Sequence, residues 1–170
     1  MKVAFYGCQT AGIIILLMLI SKKVRVKYVI TEDRNIKNVA TSFGLKIKQK
    51  SALDDANFIN TLAKDIDFFI CCHGKKILSS KFVKNIKSIN FHPCLYKYKG
   101  ANPVERLIAD GNPLASVASH WMTEVVDGGK TIVEEYIKIK DVKRKTAVDI
   151  YNLLYPLYLK VLIKTLDKIS

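Results

Sequence analysis

The sequence predicts one α/β domain over residues 1–170, a Rossmann-like, mostly parallel sheet flanked by helices with a long C-terminal helix. Three observations point there. Short, almost purely apolar segments recur at 2–6, 24–30 and 67–72, without the alternation of a half-solvated sheet. Helix-like stretches separate them, giving the β-α-β rhythm that parallel strands require. Finally, 170 residues with 49% hydrophobic and 25% charged content can bury one core of ordinary size, which excludes a disordered chain.

Residues 2–6 (KVAFY) form the first expected strand, 7–10 its turn, and 11–21 an apolar crossover helix leading to a strand at 24–30. The run AGIIILLMLI at 11–20 has half the roughly 20 residues that span a bilayer, and Ser21, Lys22 and Lys23 close it, so a buried helix is expected. A helix at 34–43 stops at Gly44, and a short strand at 45–47 and a helix at 53–64 follow. The strand 67–72 (DFFICC) leads to a short helix, capped by Ser79 or Ser80, that runs to Ile86, and then to a strand at 88–91. After Pro93 the composition shifts. A Tyr-, Lys-, Gly- and Asn-rich loop at 94–103 precedes a helix at 104–110 stopped by Gly111. Strands at 114–122 and 131–139 flank a Gly128-Gly129 loop, and 146–169 form one amphipathic helix, or two parted near Pro156.

The net charge of +13 invites an anionic partner, but only four of the 28 basic residues are arginines, leaving 24 lysines. Readers of nucleic acid lean on the bidentate arginine fork, so no specific nucleic-acid partner is expected. Cys8, Cys71, Cys72 and Cys94 lack zinc-ligand spacing and are too few for a disulfide scaffold. Reduced thiols in a cytoplasmic compartment, with no metal and no membrane partner, are the expectation. The first turn, Gly7-Cys8-Gln9-Thr10-Ala11-Gly12, lacks the middle glycine of the dinucleotide fingerprint, and no P-loop is present.

Ligands of open α/β sheets bind at the carboxyl ends of the strands, where residues 72–74, 90–93 and 125–129 would meet. Asn90 and His92 are two apart on an extended chain and so point the same way. With the Asp127 carboxylate they supply an amide donor, an imidazole and a base, a set that stabilises an oxyanion and moves protons in acyl transfer. Plainer roles stand beside these: a turn residue before Pro93 for His92, a turn former before two glycines for Asp127, a backbone hydrogen bond for Asn90. His73 reads as a strand-end residue, and for His120 structural and functional roles stand level.

At these residues the sequence resembles the folate-dependent formyltransferases over almost its whole length. Asn90-Phe91-His92-Pro93-Cys94-Leu95, continuing through Tyr98-Lys99-Gly100-Ala101-Asn102-Pro103, is similar to the family segment N-x-H-P-S-L-L-P-x-[YF]-[RK]-G. Ser116-Val117-Ala118-Ser119-His120 resembles its following strand, Val126-Asp127-Gly128-Gly129-Lys130-Thr131-Ile132 its D-x-G-x-[IV]-[IL] loop, and Ile77-Leu78 its folate-binding loop. The resemblance implies the formyltransferase version of the fold and a catalytic triad of Asn90, His92 and Asp127. It implies 10-formyltetrahydrofolate as formyl donor, held by Lys75, Lys76, Ile77 and Leu78 with Met122, Val125 and Asp127. Gly7, Cys8, Gln9, Lys97, Lys99 and Asn102 are the expected acceptor-side residues.

The departures select among members. The first turn lacks the Gly-Ser-Gly-rich phosphate loop of phosphoribosylglycinamide formyltransferase. Methionyl-tRNA formyltransferase carries a further C-terminal domain, and this chain ends about where the catalytic domain would. Cys94 and Tyr96-Lys97 replace the usual Ser and Leu-Pro. The expected acceptor is therefore the amine of a nucleotide-linked amino sugar. The alternatives are the purine-pathway reaction and a binding module that holds folate or a nucleotide without turnover. Homo-oligomer formation is left open.

Overall fold

In the computed structural model, which describes residues 1–169, strand β1 (Lys2–Gly7) is buried from its second residue on. It lies between two parallel neighbours, β2 (Arg25–Ile30) and β4 (Phe68–Cys72). The short β3 (Ile47–Lys48) extends the sheet beyond β2, and β5 (Ser88–Pro93) extends it beyond β4, both in parallel. β6 (Leu114–Trp121) and β7 (Thr131–Lys138) then add antiparallel, giving the order β3-β2-β1-β4-β5-β6-β7. The switch of sense at β6 lets β5 and β6 face each other register for register, and Asn90 comes opposite His120.

Alternate residues of each central strand feed two cores, as the period of two demands. Val3 and Phe5 of β1 enter one core, with α1 (Gln9–Ser21), α2 (Arg34–Ser42), α5 (Pro103–Asp110) and α6 (Ala147–Ile169). Ala4 and Tyr6 enter the other, with α3 (Ala56–Asp65) and α4 (Ser80–Asn85). α4 is only six residues long, so the second face of β5 is not roofed by a helix beyond it. Asn90 and His92 project from β5 on that face.

Two segments differ from the sequence expectation, and a third decides between two alternatives it left open. Residues 53–64 do not form one helix: Lys50–Asp54 is a 3-10 turn, and Asp55 starts α3 by accepting the N–H groups of Asn57 and Phe58. A side-chain cap outcompetes the continuous apolar spacing that begins at Leu53. The strand expected at 45–47 is pushed to Ile47–Lys48. α6 is unbroken through Pro156 because that residue lies on the exposed side, where water can satisfy the carbonyl the proline ring leaves unpaired.

Candidate active site

The carboxyl ends of β1, β4 and β5 open into a cleft of about 610 Å3. Gln9 lines it from the first turn of α1, residues 73–78 from the segment after β4, and Asn90, His92 and Pro93 from β5. The loop between β6 and β7 returns over the unroofed face of β5 and adds residues 122–127. Gly129 permits that return, since a Cβ there would overlap the Trp121 carbonyl oxygen.

The structure brings Asn90, His92 and Asp127 together. His92 Nε2 is 3.0 Å from Asp127 Oδ2 and 3.1 Å from the Gly100 carbonyl. Asn90 Nδ2 donates to Asp127 Oδ1 at 3.4 Å, and the Gly100 N–H donates to Asp127 Oδ2 at 2.8 Å. Burial alone would raise the Asp127 carboxyl. Hydrogen bonds from His120 and His92, the charge of His92 and the Gly100 N–H more than offset that and hold it far below the usual carboxylate range. His92 Nδ1 is buried with no hydrogen-bond partner among the described residues. An orphaned ring nitrogen beside an ionised carboxylate is costly unless a ligand meets it.

His120 belongs to the cluster. Its Nδ1 lies 3.0 Å from the Trp121 carbonyl, and its Nε2 lies 3.3 Å from Asn90 Nδ2. Nε2 also lies 3.4 Å from Asp127 Oδ1. The only signal for this in the sequence is the register of two adjacent strands.

Seven non-glycine residues among those described have positive φ, and four of them, Gln9, His73, Asn102 and Asp127, line this cleft. Such strain accumulates where a site must be pre-shaped. His73 is held at both ring nitrogens, 2.6 Å from Gln9 Oε1 and 2.6 Å from the Tyr158 hydroxyl. Burial, with the His92 charge nearby, lowers its pKa to about 4.

The remaining expected residues divide. Lys75, Lys76, Ile77, Leu78, Met122 and Val125 line the cleft, and so do Gln9 and Asn102. Lys76 is tied to Asp54 at 2.7 Å. Gly7 and Cys8 stand behind the wall: Gly7 is buried in β1, and the Cys8 thiol donates to the His73 carbonyl at 2.6 Å. Lys97 and Lys99 are not lining residues, and the Lys97 ammonium pairs with Asp110 at 3.0 Å. Glu105 and Tyr151, which no sequence motif singled out, also line the cleft.

The profile of the formyl transferase family matches residues 8–166. The chain belongs to this family. Among curated proteins, this formyl transferase is 29% identical over 150 residues to phosphoribosylglycinamide formyltransferase of Haemophilus influenzae, covering 74% of this chain and 70% of that protein. It is 30% identical over 142 residues to methionyl-tRNA formyltransferase of Halothermothrix orenii, covering 79% of this chain but 43% of the relative's length. Among solved structures, a sugar N-formyltransferase from Shewanella sp. FDAARGOS_354 superposes with a TM-score of 0.80 at 18% identity, covering 99% of this chain and 69% of that one. That likeness establishes the shared fold. The cleft, with Asn90, His92 and Asp127, lies within the matched residues.

Proposed function

We propose that the protein moves a formyl group from 10-formyltetrahydrofolate to the amine of a nucleotide-linked amino sugar. The observation that carries the reading is the buried, unpartnered His92 Nδ1 beside Asn90 and an ionised Asp127, inside a cleft. The bound donor supplies an activated formyl carbon. Asn90 Nδ2–H and a proton on His92 Nδ1 are two donors for the formyl oxygen as it takes up negative charge, and Asp127 balances the ring through Nε2. Asp127 also receives the amine proton, directly or through water, and returns it to the departing nitrogen. Ile77, 78% exposed, and Val125, 69% exposed, form an uncovered apolar rim that suits a planar heterocycle.

For the acceptor, the support is the first turn, which has no glycine-rich phosphate loop, together with the Shewanella sugar N-formyltransferase among the structural neighbours. A purine-pathway role is the second reading, favoured by the 29% identity to the Haemophilus enzyme. The test is formyl transfer from 10-formyltetrahydrofolate to a panel of amino-sugar nucleotides and to glycinamide ribonucleotide. We expect turnover with at least one amino-sugar nucleotide. Turnover with glycinamide ribonucleotide alone overturns the acceptor assignment, and calorimetric binding of the folate with no transfer to any amine leaves a binding module.

A further inference from the structure

The N-terminus of α1 is where an anionic acceptor would find free N–H groups and a favourable dipole. A carboxylate already holds that place. Asp33 Oδ2 accepts the Gln9 N–H at 2.9 Å, while Oδ1 accepts from Asn35 at 2.9 Å and Ile36 at 3.2 Å, the first turn of α2. Burial raises the Asp33 carboxyl, but the N–H groups of Gln9, Ile36 and Asn35 and the Lys75 cation more than offset this, so it is lowered and ionised at neutral pH.

The Gln9 side chain is fixed as well. The Tyr158 hydroxyl donates to His73 Nε2, and His73 Nδ1–H donates to Gln9 Oε1, both at 2.6 Å. This relay turns the carboxamide so that its two Nε2–H donors, which have no protein partner among the described residues, are offered to the cleft. The opposite wall carries Tyr151, whose ring lies 5.5 Å from that of His73, and Glu105, an exposed carboxylate. No arginine lines the cleft among the described residues, and of its two lysines, Lys76 is tied to Asp54 while Lys75 faces Asp33. This part of the cleft therefore offers the Gln9 amide donors near two carboxylates, and its lysine is shared with Asp33.

We infer that Asp33 and the Gln9–His73–Tyr158 relay select acceptors whose amine-bearing end is an uncharged, hydroxylated ring, and reject a phosphomonoester at the N-terminus of α1. A hydroxyl oxygen accepts from Gln9 Nε2–H without disturbing the wall. A phosphate dianion must displace Asp33 from the Gln9 N–H and then stand against its charge. Any phosphate of a genuine acceptor lies away from α1. This deepens the formyl-transfer reading and rests on it for the word acceptor, but the discrimination itself is a binding property.

The experiment titrates ribose 5-phosphate and inorganic phosphate by calorimetry into the wild-type chain, Asp33→Asn and Asp33→Ser. The serine variant keeps an N-cap for α2 if asparagine fails to fold. We expect the variants to stay folded and to bind both probes at least about tenfold more tightly than wild type. In parallel, Gln9→Ala should raise KM for an amino-sugar nucleotide about tenfold with kcat within about twofold. Equal phosphate binding by wild type and variants, or an unmoved KM in Gln9→Ala, overturns the inference. Failure of the formyl-transfer reading has a different signature: no turnover with any amino-sugar nucleotide while the phosphate titrations still separate wild type from variants.

Discussion

Asp127 joins the parts of the site: a single carboxylate meets His92, His120, Asn90 and the Gly100 N–H, from a left-handed backbone position with φ of 50°. Asp127→Asn, His92→Asn and Asn90→Ala should each lower turnover at least about a hundredfold while the variants remain folded. Near-native turnover by any one of them at saturating donor removes that residue from the chemistry. His73 makes a different prediction. Unfolded, it protonates near 6.5; folded, only near 4. The unfolded state therefore binds more protons between those values, so the His73 contribution is complete above pH 6.5 and is lost as pH falls towards 4. The loss amounts to up to about 3 kcal/mol. Urea midpoints measured across that window should fall steeply for wild type and less for His73→Gln. Identical slopes would show that the ring titrates normally. Asp127 acts in a separate window: its ionised form stabilises the fold above its ordinary value of 3.8, and that contribution is lost only below it.

At the scale of elements, α6 shows what local pattern reveals and what it hides. Its apolar spacing made the helix legible, and Ile150, Leu154, Tyr158, Val161, Leu162 and Leu166 are its buried face. The polar pin within that face was not legible: Thr165 Oγ1 meets Ser119 Oγ of β6 at 2.6 Å in the buried core, a pairing across 46 residues. Thr165→Val should cost about 1–3 kcal/mol, because it strands the Ser119 hydroxyl, and Ser119→Ala in the same background should recover part of it. A double-mutant cycle on chemical denaturation checks this, and additive losses would deny the coupling. The same division runs through the site. Asn90 and His92 share a strand and could be aligned from spacing alone. Gln9 and His73 meet across 64 residues, and Glu105 and Tyr151 reach the cleft from two different helices, so no local motif marks them. Lys97 looked available in the sequence because nothing local announced its partner, Asp110.

For the whole molecule, the question is what the charge of +13 does. Several lysines are committed to scattered carboxylates: Lys160 and Lys164 to Glu135, Lys84 to Glu124, Lys97 to Asp110 and Lys76 to Asp54. Exposed pairs of this kind contribute little stability each, but each sets a carboxylate beside a lysine. Binding to RNA or DNA should therefore be weak and fall steeply with salt, since it comes only from counterion release. An amino-sugar nucleotide, with few charges, should show a shallow salt slope. Filter binding or fluorescence anisotropy between low and physiological ionic strength separates these outcomes. A nucleic-acid complex still tight at physiological salt would mean that the lysines act together.

The position of β1 in the sheet has a consequence for how the chain is made. β1 precedes every other strand in the chain, yet one of its two flanks is closed only by β4, whose residues pair with it from about 65 positions further on. A nascent chain emerging from the ribosome carries an apolar strand with an open hydrogen-bonding edge until β4 has appeared. Pairing at such separation incurs loop-closure entropy before any contact compensates for it. The protein should fold late in translation, more slowly than a helical bundle of its size, and during that interval it should be a client for chaperones that shield exposed strands.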